Sequence, residues 1–342
     1  MESEPHSKPA VTGGVSRPVS LTVVVPCYNE EEVLEDSAGK LLELLERLIA
    51  KGVVASNSEI LFVDDGSADT TWQLIEGLAA ASERVNGLKL SRNFGHQAAL
   101  LAGLMSVSCD ISVSMDADLQ DDPAVMEAMI EAYYSGFDIV YGVRTSREVD
   151  TFGKRFTARL YYKILKIMGV DIIEDHADFR LMSARALDAL RQFREVNLFL
   201  RGLVPMIGFP SRIITYERKE RLAGETKYSL RKMLALALDG ITAFSSVPLR
   251  MIAWMGAVIS MASILFAGWA VFVKLFGDGV VPGWASTVVP IYFIGGVQLL
   301  SLGVMGAYLS RVYGETKSRP RYIIEDMLRQ PAPSAGAREV CK

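Results

Sequence analysis

The sequence Ser114-Met115-Asp116-Ala117-Asp118-Leu119-Gln120-Asp121-Asp122-Pro123 places side-chain oxygens directly after an apolar run. That run, Ile111 to Met115, has the composition of a buried strand. Alternate residues of an extended strand end point the same way, so Asp116, Asp118 and Gln120 can converge on one hard cation. Mg²⁺ or Mn²⁺ held in this way keeps open positions that phosphate oxygens fill. The segment therefore predicts a metal–phosphate site at a strand end.

Two other interpretations of these acids are a calcium loop and a solvated acidic turn. Asp116, Asp118 and Gln120 match positions 1, 3 and 5 of an EF-hand, and Glu127 matches position 12. However, Asp121 stands where that loop requires glycine, and a strand leads in where an EF-hand has a helix. The pattern favours a metal–phosphate site over the EF-hand and leaves the solvated turn open.

Length and composition set the limits for a function. The chain has 342 residues, which suggests about two domains. Its net charge of −4 argues against a nucleic-acid-binding surface. The three cysteines have no metal-ligand spacing and suit a reducing compartment. Residues 1–18 lack the apolar core of a signal peptide and are predicted to be a disordered tail.

Strand and helix patterns alternate along the next part of the chain with short connections. Apolar runs predict strands at 21–25, 60–63, 88–90, 111–115, 138–141 and 213–217, with helical periods between the first five. Such alternation implies a doubly wound α/β fold with a mostly parallel sheet. His176 to Arg180 is interpreted as a polar interruption between helical stretches.

Polar clusters follow five of these strands, at the edge of the sheet where ligands bind in this fold class. In the second cluster, Asp64 and Asp65 end a strand, and one carboxylate can accept hydrogen bonds from a ribose or a base. The alternative is an Asx-turn that caps the next helix, a role that suits Asp69 better. The coincidence of the clusters predicts one composite site.

The C-terminal third has the pattern of a membrane anchor. Residues 218–228 form a basic loop in which Lys227 is the expected phosphate contact. An amphipathic helix suited to a bilayer interface follows at 229–246. Residues 249–276 and 285–310 contain uncharged runs long enough to cross the bilayer. Basic residues flank the outer ends of this hairpin, so the positive-inside rule places the α/β domain and the tail, 311–342, in the cytoplasm.

Six motifs, in order, resemble the family 2 glycosyltransferases with the GT-A fold. They are Pro26-Cys27-Tyr28-Asn29-Glu30, Asp64-Asp65-Gly66-Ser67, Arg92-Asn93-Phe94-Gly95, Asp116-Ala117-Asp118-Leu119-Gln120, Asp178-Phe179-Arg180 and Gly224-Glu225-Thr226-Lys227-Tyr228. With two C-terminal spans, the chain is similar to the polyprenyl-phosphate glycosyltransferases, a group that includes dolichol-phosphate mannose synthase and the bacterial GtrB-type proteins. The resemblance runs from about Leu21 to Arg321. It implies a GT-A domain over residues 19–228, an interfacial helix and a transmembrane hairpin.

The resemblance also implies roles for individual residues. The donor site would comprise Pro26, Tyr28, Glu30, Asp64, Asp65, Asn93, Asp116 and Lys227, and Mg²⁺ or Mn²⁺ would bind Asp116, Asp118 and Gln120. The acceptor phosphate would meet Arg144, Arg147, Arg180 and Arg221. Asp118, Asp178 and Arg144 are the predicted catalytic residues. Asp178 acts either as a base or as an orienting partner for an arginine such as Arg180, because a lipid phosphate is already ionised at pH 7.

The predicted function is metal-dependent, inverting transfer of a sugar, with glucose expected, from a UDP-sugar to polyprenyl (undecaprenyl) phosphate. The enzyme would be a multi-pass inner-membrane protein with a cytoplasmic catalytic domain, and a homotetramer. A mannose synthase that uses GDP-mannose and a non-catalytic membrane scaffold are the alternatives. A processive polysaccharide synthase fits less well, since the sequence lacks a Gln-x-x-Arg-Trp motif.

Overall fold

A computed structural model describes residues 18–144, 176–195, 200–216, 247–276 and 283–329. The chain divides into two units. The first comprises residues 1–152, 172–226 and 320–342, and the second comprises residues 153–171 and 227–319. The predicted N-terminal tail (except Pro18) and the predicted interfacial helix, 229–246, lie outside the described residues.

The first unit contains a mixed sheet of eight strands in the order β7-β5-β6-β4-β1-β2-β3-β8. The strands are β1 Leu21–Cys27, β2 Glu59–Asp64, β3 Val85–Leu90, β4 Ile111–Ser114, β5 Ile139–Arg144, β6 His176–Ser183, β7 Ser211–Tyr216 and β8 Ile324–Leu328. All of them run the same way except β6 and β8. This sheet is the mostly parallel α/β architecture expected of the GT-A fold.

Helices of the first unit cover both faces of this sheet. They are α1 Leu34–Ala50, α2 Thr71–Ala81, α3 His96–Ser106, α4 Val125–Tyr134, α5 Ala184–Arg191 and α6 Leu200–Met206. Alternate residues of β1 serve the two faces: Val23 and Val25 join one core with residues of α1, α2 and α4. Val24 faces α3, where a side chain at Gly103 would come within 2.4 Å of its Cγ1 atom. Glycine at this position lets α3 lie close to the strands that carry the site.

The strand β6 corrects the interpretation of residues 176–180 as a polar interruption. It lies in the middle of the sheet, antiparallel to both β4 and β5. Its polar residues Asp178 and Arg180 are buried together, so the segment has no apolar run that would predict a central strand. Because β6 runs backwards, its first residues lie beside the end of β4, where Ser114 pairs with Arg180.

The strand β8 lies in the segment that the sequence analysis treats as a tail. It pairs antiparallel with β3, opposite Gly87 to Leu90. The Ser91 N–H donates to the Ile323 carbonyl at 3.0 Å, and the Arg321 guanidinium donates to the Phe193 carbonyl at 2.9 Å. Residues Ile324–Leu328 of this segment therefore form an edge strand of the sheet.

The second unit contains two long apolar helices, α7 Val247–Phe276 and α8 Trp284–Thr316. The apolar windows Val247–Phe266 and Phe293–Thr316 have mean hydropathies of 1.8 and 1.5 and are not buried by the protein. Each helix is long and apolar enough to cross a membrane. α8 continues past residue 310, the predicted end of the second span.

Gly66 fixes the distance between two loops of the site. Its φ is +68°, and an added Cβ would lie 2.4 Å from the Arg92 carbonyl carbon. We therefore expect Gly66→Ala to carry two costs. One is the penalty for an alanine in the left-handed conformation. The other, about 2 kcal/mol, arises because the backbone would have to move to relieve the clash. A thermal melt of the purified variant measures the loss.

Gly52 provides the matched control, since its φ is also +68° but no atom of the described residues lies within 4 Å of an added Cβ. Gly52→Ala should cost only the conformational penalty of about 1–2 kcal/mol. Equal melting temperatures for the two variants would show that the contact between the loops is unimportant.

Candidate active site

The sheet topology gathers the predicted polar residues at one edge. β1, β2 and β4 are parallel neighbours, so the residues that follow them lie side by side. The antiparallel strand β6 starts at this same edge and brings Asp178 next to Asp116. His96 makes the link, because its Nε2 atom lies 3.5 Å from Asp116 Oδ1 and 3.4 Å from Asp178 Oδ2.

The loops after β1 and β2 hold each other in place. Asn29 has a left-handed φ of 54°, and its side chain accepts the Ala68 N–H at 2.9 Å. Its own N–H donates to Ser67 Oγ at 3.0 Å, and the Glu30 N–H donates to Thr71 Oγ1 at 2.9 Å. Tyr28 remains 46% exposed beside this lock. The loops after β1 and β2, residues 28–31 and 65–71, therefore form a fixed rim of the site, and the Tyr28 ring is exposed on it.

The Asp64 and Asp65 carboxylates are buried and serve the loops themselves. Asp65 accepts the Phe94 N–H at 2.8 Å and the Gly95 N–H at 2.9 Å, while Asp64 accepts the Ser67 N–H at 3.2 Å. Burial raises the pKa of Asp65 although both backbone bonds oppose that rise. Only 2% of Asp65 is exposed, and its two hydrogen bonds connect the loop before α3 to the end of β2. Contact with a ribose or base stays a prediction for it.

Asp69 makes the Asx-turn that the sequence favours at this position. Its Oδ1 atom accepts the Thr71 N–H at 3.0 Å at the start of α2. Its Oδ2 atom accepts the Glu31 N–H from the loop after β1 at 3.3 Å. Asp69 therefore supports the rim.

The acids at the end of β4 form a strongly negative cluster. Burial raises the pKa of Asp116, and Asp178, Asp121 and Asp118 raise it further while His96 opposes them. Burial, followed by the charges of Asp118 and Asp116, also raises the pKa of Glu30. Because the neighbouring carboxylates disfavour ionisation of Asp116 and Glu30, a cation bound among them would relieve the repulsion.

A divalent cation fits the residues present. The Asp116 Oδ1 atom is buried and accepts no hydrogen bond from the described residues; the His96 Nε2 atom, at 3.5 Å, makes an ion-pair contact with it. A carboxylate oxygen in this position is suited to bind a cation. Gln120 donates its side-chain amide to Asp118 Oδ2, which brings those two side chains together. Within the described residues no three His, Cys, Asp or Glu side chains form a ready cluster. A Mg²⁺ site does not need such a cluster when one or two carboxylates bind the ion and substrate phosphates complete its coordination shell.

Asp178 is the centre of an ion-pair network. Its carboxylate accepts from Arg180 Nη2 at 2.6 Å, from Gln97 Nε2 at 3.1 Å and from Arg201 Nη2 at 3.3 Å. Burial would raise the pKa of Asp178, but the hydrogen bond from His96 and the two guanidinium groups outweigh it and hold the pKa well below its usual range. A carboxylate that stays ionised in this way is a weak base.

The burial of Arg180 corrects its assignment to the acceptor phosphate. Only 1% of the residue is exposed, its Nη2 and Nη1 atoms donate to Asp178 and to the Leu200 carbonyl, and its buried Nε atom has no hydrogen-bond partner among the described residues. A phosphate outside the protein cannot reach a guanidinium enclosed in this way. The structure supports the second role considered for Asp178, as the partner of an arginine.

Three side chains of the network were not predicted from the sequence. His96 and Gln97 begin α3 directly after the Arg92–Gly95 motif, and Arg201 lies in α6. His96 could have been predicted as a site residue, because it follows the polar cluster after the strand β3. No sequence signal marked Arg201, because only the fold brings α6 to Asp178.

Other predicted site residues are described in part or not at all. Pro26 is buried within β1, and Asn93 is exposed in the loop after β3. Arg144 ends β5, and its side chain lies outside the described residues. Arg147, Arg221 and Lys227 also lie outside them, so their roles remain predictions.

Comparisons with known proteins agree with this architecture. Residues 22–191 match the model of "Glycosyl transferase family 2". The chain is 48% identical over 312 residues to the uncharacterized glycosyltransferase YkoT of Bacillus subtilis (strain 168), covering 91% of this chain and 92% of the relative. It is 38% identical over 308 residues to the bactoprenol glucosyl transferase of Shigella phage SfX, covering 90% and 99%.

Among solved structures, mannosyl-3-phosphoglycerate synthase from Rubrobacter xylanophilus has a TM-score of 0.45 at 16% identity, over 70% of this chain and 75% of its own. The two sequence relatives match nearly the whole chain, and the family model covers the strands β1 to β6 together with the acidic cluster and Asp178, but not β7, β8 or Arg201. The chain belongs to glycosyl transferase family 2 and is a glycosyltransferase.

Proposed function

We propose that this glycosyltransferase moves a glucosyl unit from UDP-glucose to polyprenyl phosphate at a membrane. The observation that carries the proposal is the Asp116 carboxylate in an acidic cluster at the strand ends, whose buried Oδ1 atom accepts no hydrogen bond from the part of the chain that the structure describes. Such a site suits a cation-bound diphosphate. The name of the bactoprenol glucosyl transferase, which matches over 99% of its length, supports glucose as the sugar and a polyprenyl lipid as the acceptor.

Asp116, Asp118 and Gln120 are the residues that would hold Mg²⁺ or Mn²⁺. A divalent cation supplies positive charge to the diphosphate that leaves with the nucleoside. The chain's own contribution is to hold these oxygens at the rim where Tyr28 and Asn93 are exposed. The hydrogen bonds of Asn29 to Ser67 and Ala68 hold that rim from within the protein, so little ordering of these loops would be needed on binding.

The reaction is a single displacement. A bond forms between an oxygen of the acceptor phosphate and the anomeric carbon, and the bond from that carbon to the UDP oxygen breaks. UDP leaves with the electron pair, and the configuration at the anomeric carbon inverts. A phosphate monoester is largely dianionic at pH 7, so no proton has to be removed from the nucleophile.

Asp178 positions cations in this scheme and does not act as a base. Its pKa lies far below the pH at which a general base works best. Its carboxylate is instead a fixed anion that holds Arg180, Arg201 and His96. The acceptor contacts predicted for Arg144, Arg147 and Arg221, and the donor contact of Lys227, remain part of the proposal.

The second unit supplies the membrane attachment in this proposal. α7 and α8 would cross the inner membrane as a hairpin, and the basic residues flanking it would keep the catalytic domain in the cytoplasm. We retain a homotetramer as the expected assembly. In sealed inverted vesicles, added UDP-sugar should reach the site directly, whereas in right-side-out vesicles it should not.

A panel of donors tests the proposed function. The purified full-length protein is incubated with undecaprenyl phosphate, Mn²⁺ and one of three donors: UDP-glucose, UDP-N-acetylglucosamine or GDP-mannose. The lipid product is identified by its mass in a mass spectrometer. We expect a hexosyl product with UDP-glucose. A product formed only with GDP-mannose would instead establish a mannose synthase. Metal-dependent UDP binding without any glycolipid would indicate a scaffold.

A further inference from the structure

The first residue of α3 lies between two carboxylates of the site. The His96 Nε2 atom is 3.4 Å from Asp178 Oδ2 and 3.5 Å from Asp116 Oδ1. These two acids come from different strands, since Asp178 lies in β6 and Asp116 follows β4. In the part of the chain that the structure describes, Asp116 has no ion-pair contact with any other side chain. The imidazole is therefore the group that separates the two acids.

The backbone around His96 is fixed from the side of the sheet. The N–H of Gly95 donates to the buried Asp65 carboxylate at 2.9 Å. The Gly95 carbonyl accepts the N–H groups of Ala98 and Ala99 at 2.9 Å and 3.1 Å. His96 thus begins a helix whose first turn is attached to the end of β2, so the position of the ring is set by the fold.

The Asp116 carboxylate is the less restrained partner in this contact. Its Oδ1 atom accepts no hydrogen bond from the described residues. At 3.5 Å, the contact with His96 is longer than a normal hydrogen bond, so it leaves this oxygen able to bind a cation. Without a donor between them, Asp116 and Asp178 would face each other directly and repel. A fixed ring at this place can therefore decide where the Asp116 oxygens lie.

We propose that His96 is a positioning residue that keeps the Asp116 carboxylate in place for a divalent cation. This inference rests on the proposed function, in which Asp116, Asp118 and Gln120 hold Mg²⁺ or Mn²⁺. The ring would hold Asp116 apart from Asp178, so that the cation meets a carboxylate already in position. The role needs only an N–H on Nε2, which the neutral imidazole can carry as well as the charged one.

His96→Leu, which removes the donor, tests this role in the full-length protein. Electron paramagnetic resonance measures the free Mn²⁺ while the protein is titrated in the presence of UDP, without acceptor. Loss of a residue that orients a metal ligand weakens metal binding about 10- to 100-fold, and His96→Leu should raise the Kd for Mn²⁺ by such a factor. The KM for undecaprenyl phosphate at saturating Mn²⁺ should change less than about two-fold.

His96→Gln is the conservative variant, because a glutamine amide can donate from nearly the position of Nε2. It should recover most of the Mn²⁺ affinity, which a purely structural loss would not explain. A thermal melt checks that each variant is folded. His96→Ala, which also lacks the donor, replaces His96→Leu if the latter does not fold.

Gln97→Leu is the matched control, because Gln97 is the next residue of α3 and donates to Asp178 at 3.1 Å. Within the described residues it makes no hydrogen bond to Asp116, so the Kd for Mn²⁺ should stay within about two-fold of wild type. Unchanged or tighter Mn²⁺ binding by His96→Leu, or equal weakening by His96→Gln or Gln97→Leu, would overturn the assignment. If wild-type protein binds Mn²⁺ but makes no glycolipid, the proposed function fails, and the Mn²⁺ titrations still decide the role of His96.

Discussion

Asp118→Asn should lower kcat/KM for sugar transfer by about 10²- to 10³-fold, the range expected when one charge-stabilising ligand is removed. The physical reason is that asparagine is neutral and binds a hard cation poorly, while its carbonyl can still accept the hydrogen bond from Gln120. Asp118 is exposed, so the melting temperature should hardly change. Glycolipid formation and a thermal melt are measured on the same preparation.

Asp188→Asn is the control for Asp118→Asn, because Asp188 is an exposed aspartate of the same unit away from the site. It should leave transfer unchanged. Nearly normal transfer by Asp118→Asn at saturating Mn²⁺ would remove Asp118 from the proposed cation site. Loss of transfer together with loss of the folded state would point to a structural role.

Asp178→Ala should destabilise the protein by about 3–5 kcal/mol, because it leaves the buried Arg180 guanidinium without its charged partner. The double variant Asp178→Leu with Arg180→Met removes both charges and should recover most of the loss. Asp188→Ala breaks an exposed pair and should cost less than about 1 kcal/mol. Thermal melts or urea unfolding in detergent measure these differences.

The effect of Asp178 should also depend on pH. Its pKa is lowered from 3.8 in the folded state, so the carboxylate contributes its stability above that value and loses it as the pH falls towards the folded pKa. The gap between wild type and Asp178→Ala should therefore narrow below about pH 4. A gap that stays constant from pH 7 to pH 3 would contradict the ion-pair explanation.

The first half of the fold was predictable because its strands are buried on both faces. Runs such as Leu21–Val25 and Ile60–Val63 are continuously apolar, and each is followed by a helical period. The observed strands β1 to β5 lie at these places, and the polar residues after them meet at one edge. Because neighbouring parallel strands end at the same edge of a sheet, the strand order alone brings these polar residues together.

The remaining parts depend on contacts that no local pattern contains. β6 has charged residues at buried positions, and only their pairing across strands makes a central strand stable there. β8 is a short edge strand with Glu325 and Asp326 in it, and pairing with β3 alone defines it. The sequence could not exclude Arg180 from the acceptor site, because no local pattern shows that its guanidinium is buried against Asp178.

The central claim is that the carboxylates at the end of β4 serve a cation-dependent transfer of sugar to a lipid phosphate. It is tested most directly with wild-type protein, undecaprenyl phosphate and UDP-glucose labelled in the sugar, first in EDTA and then with Mn²⁺ in excess. We expect no labelled lipid in EDTA, and after Mn²⁺ addition one labelled lipid for each UDP released. Equal labelling of the lipid in EDTA, or release of free glucose with no labelled lipid, would contradict the account.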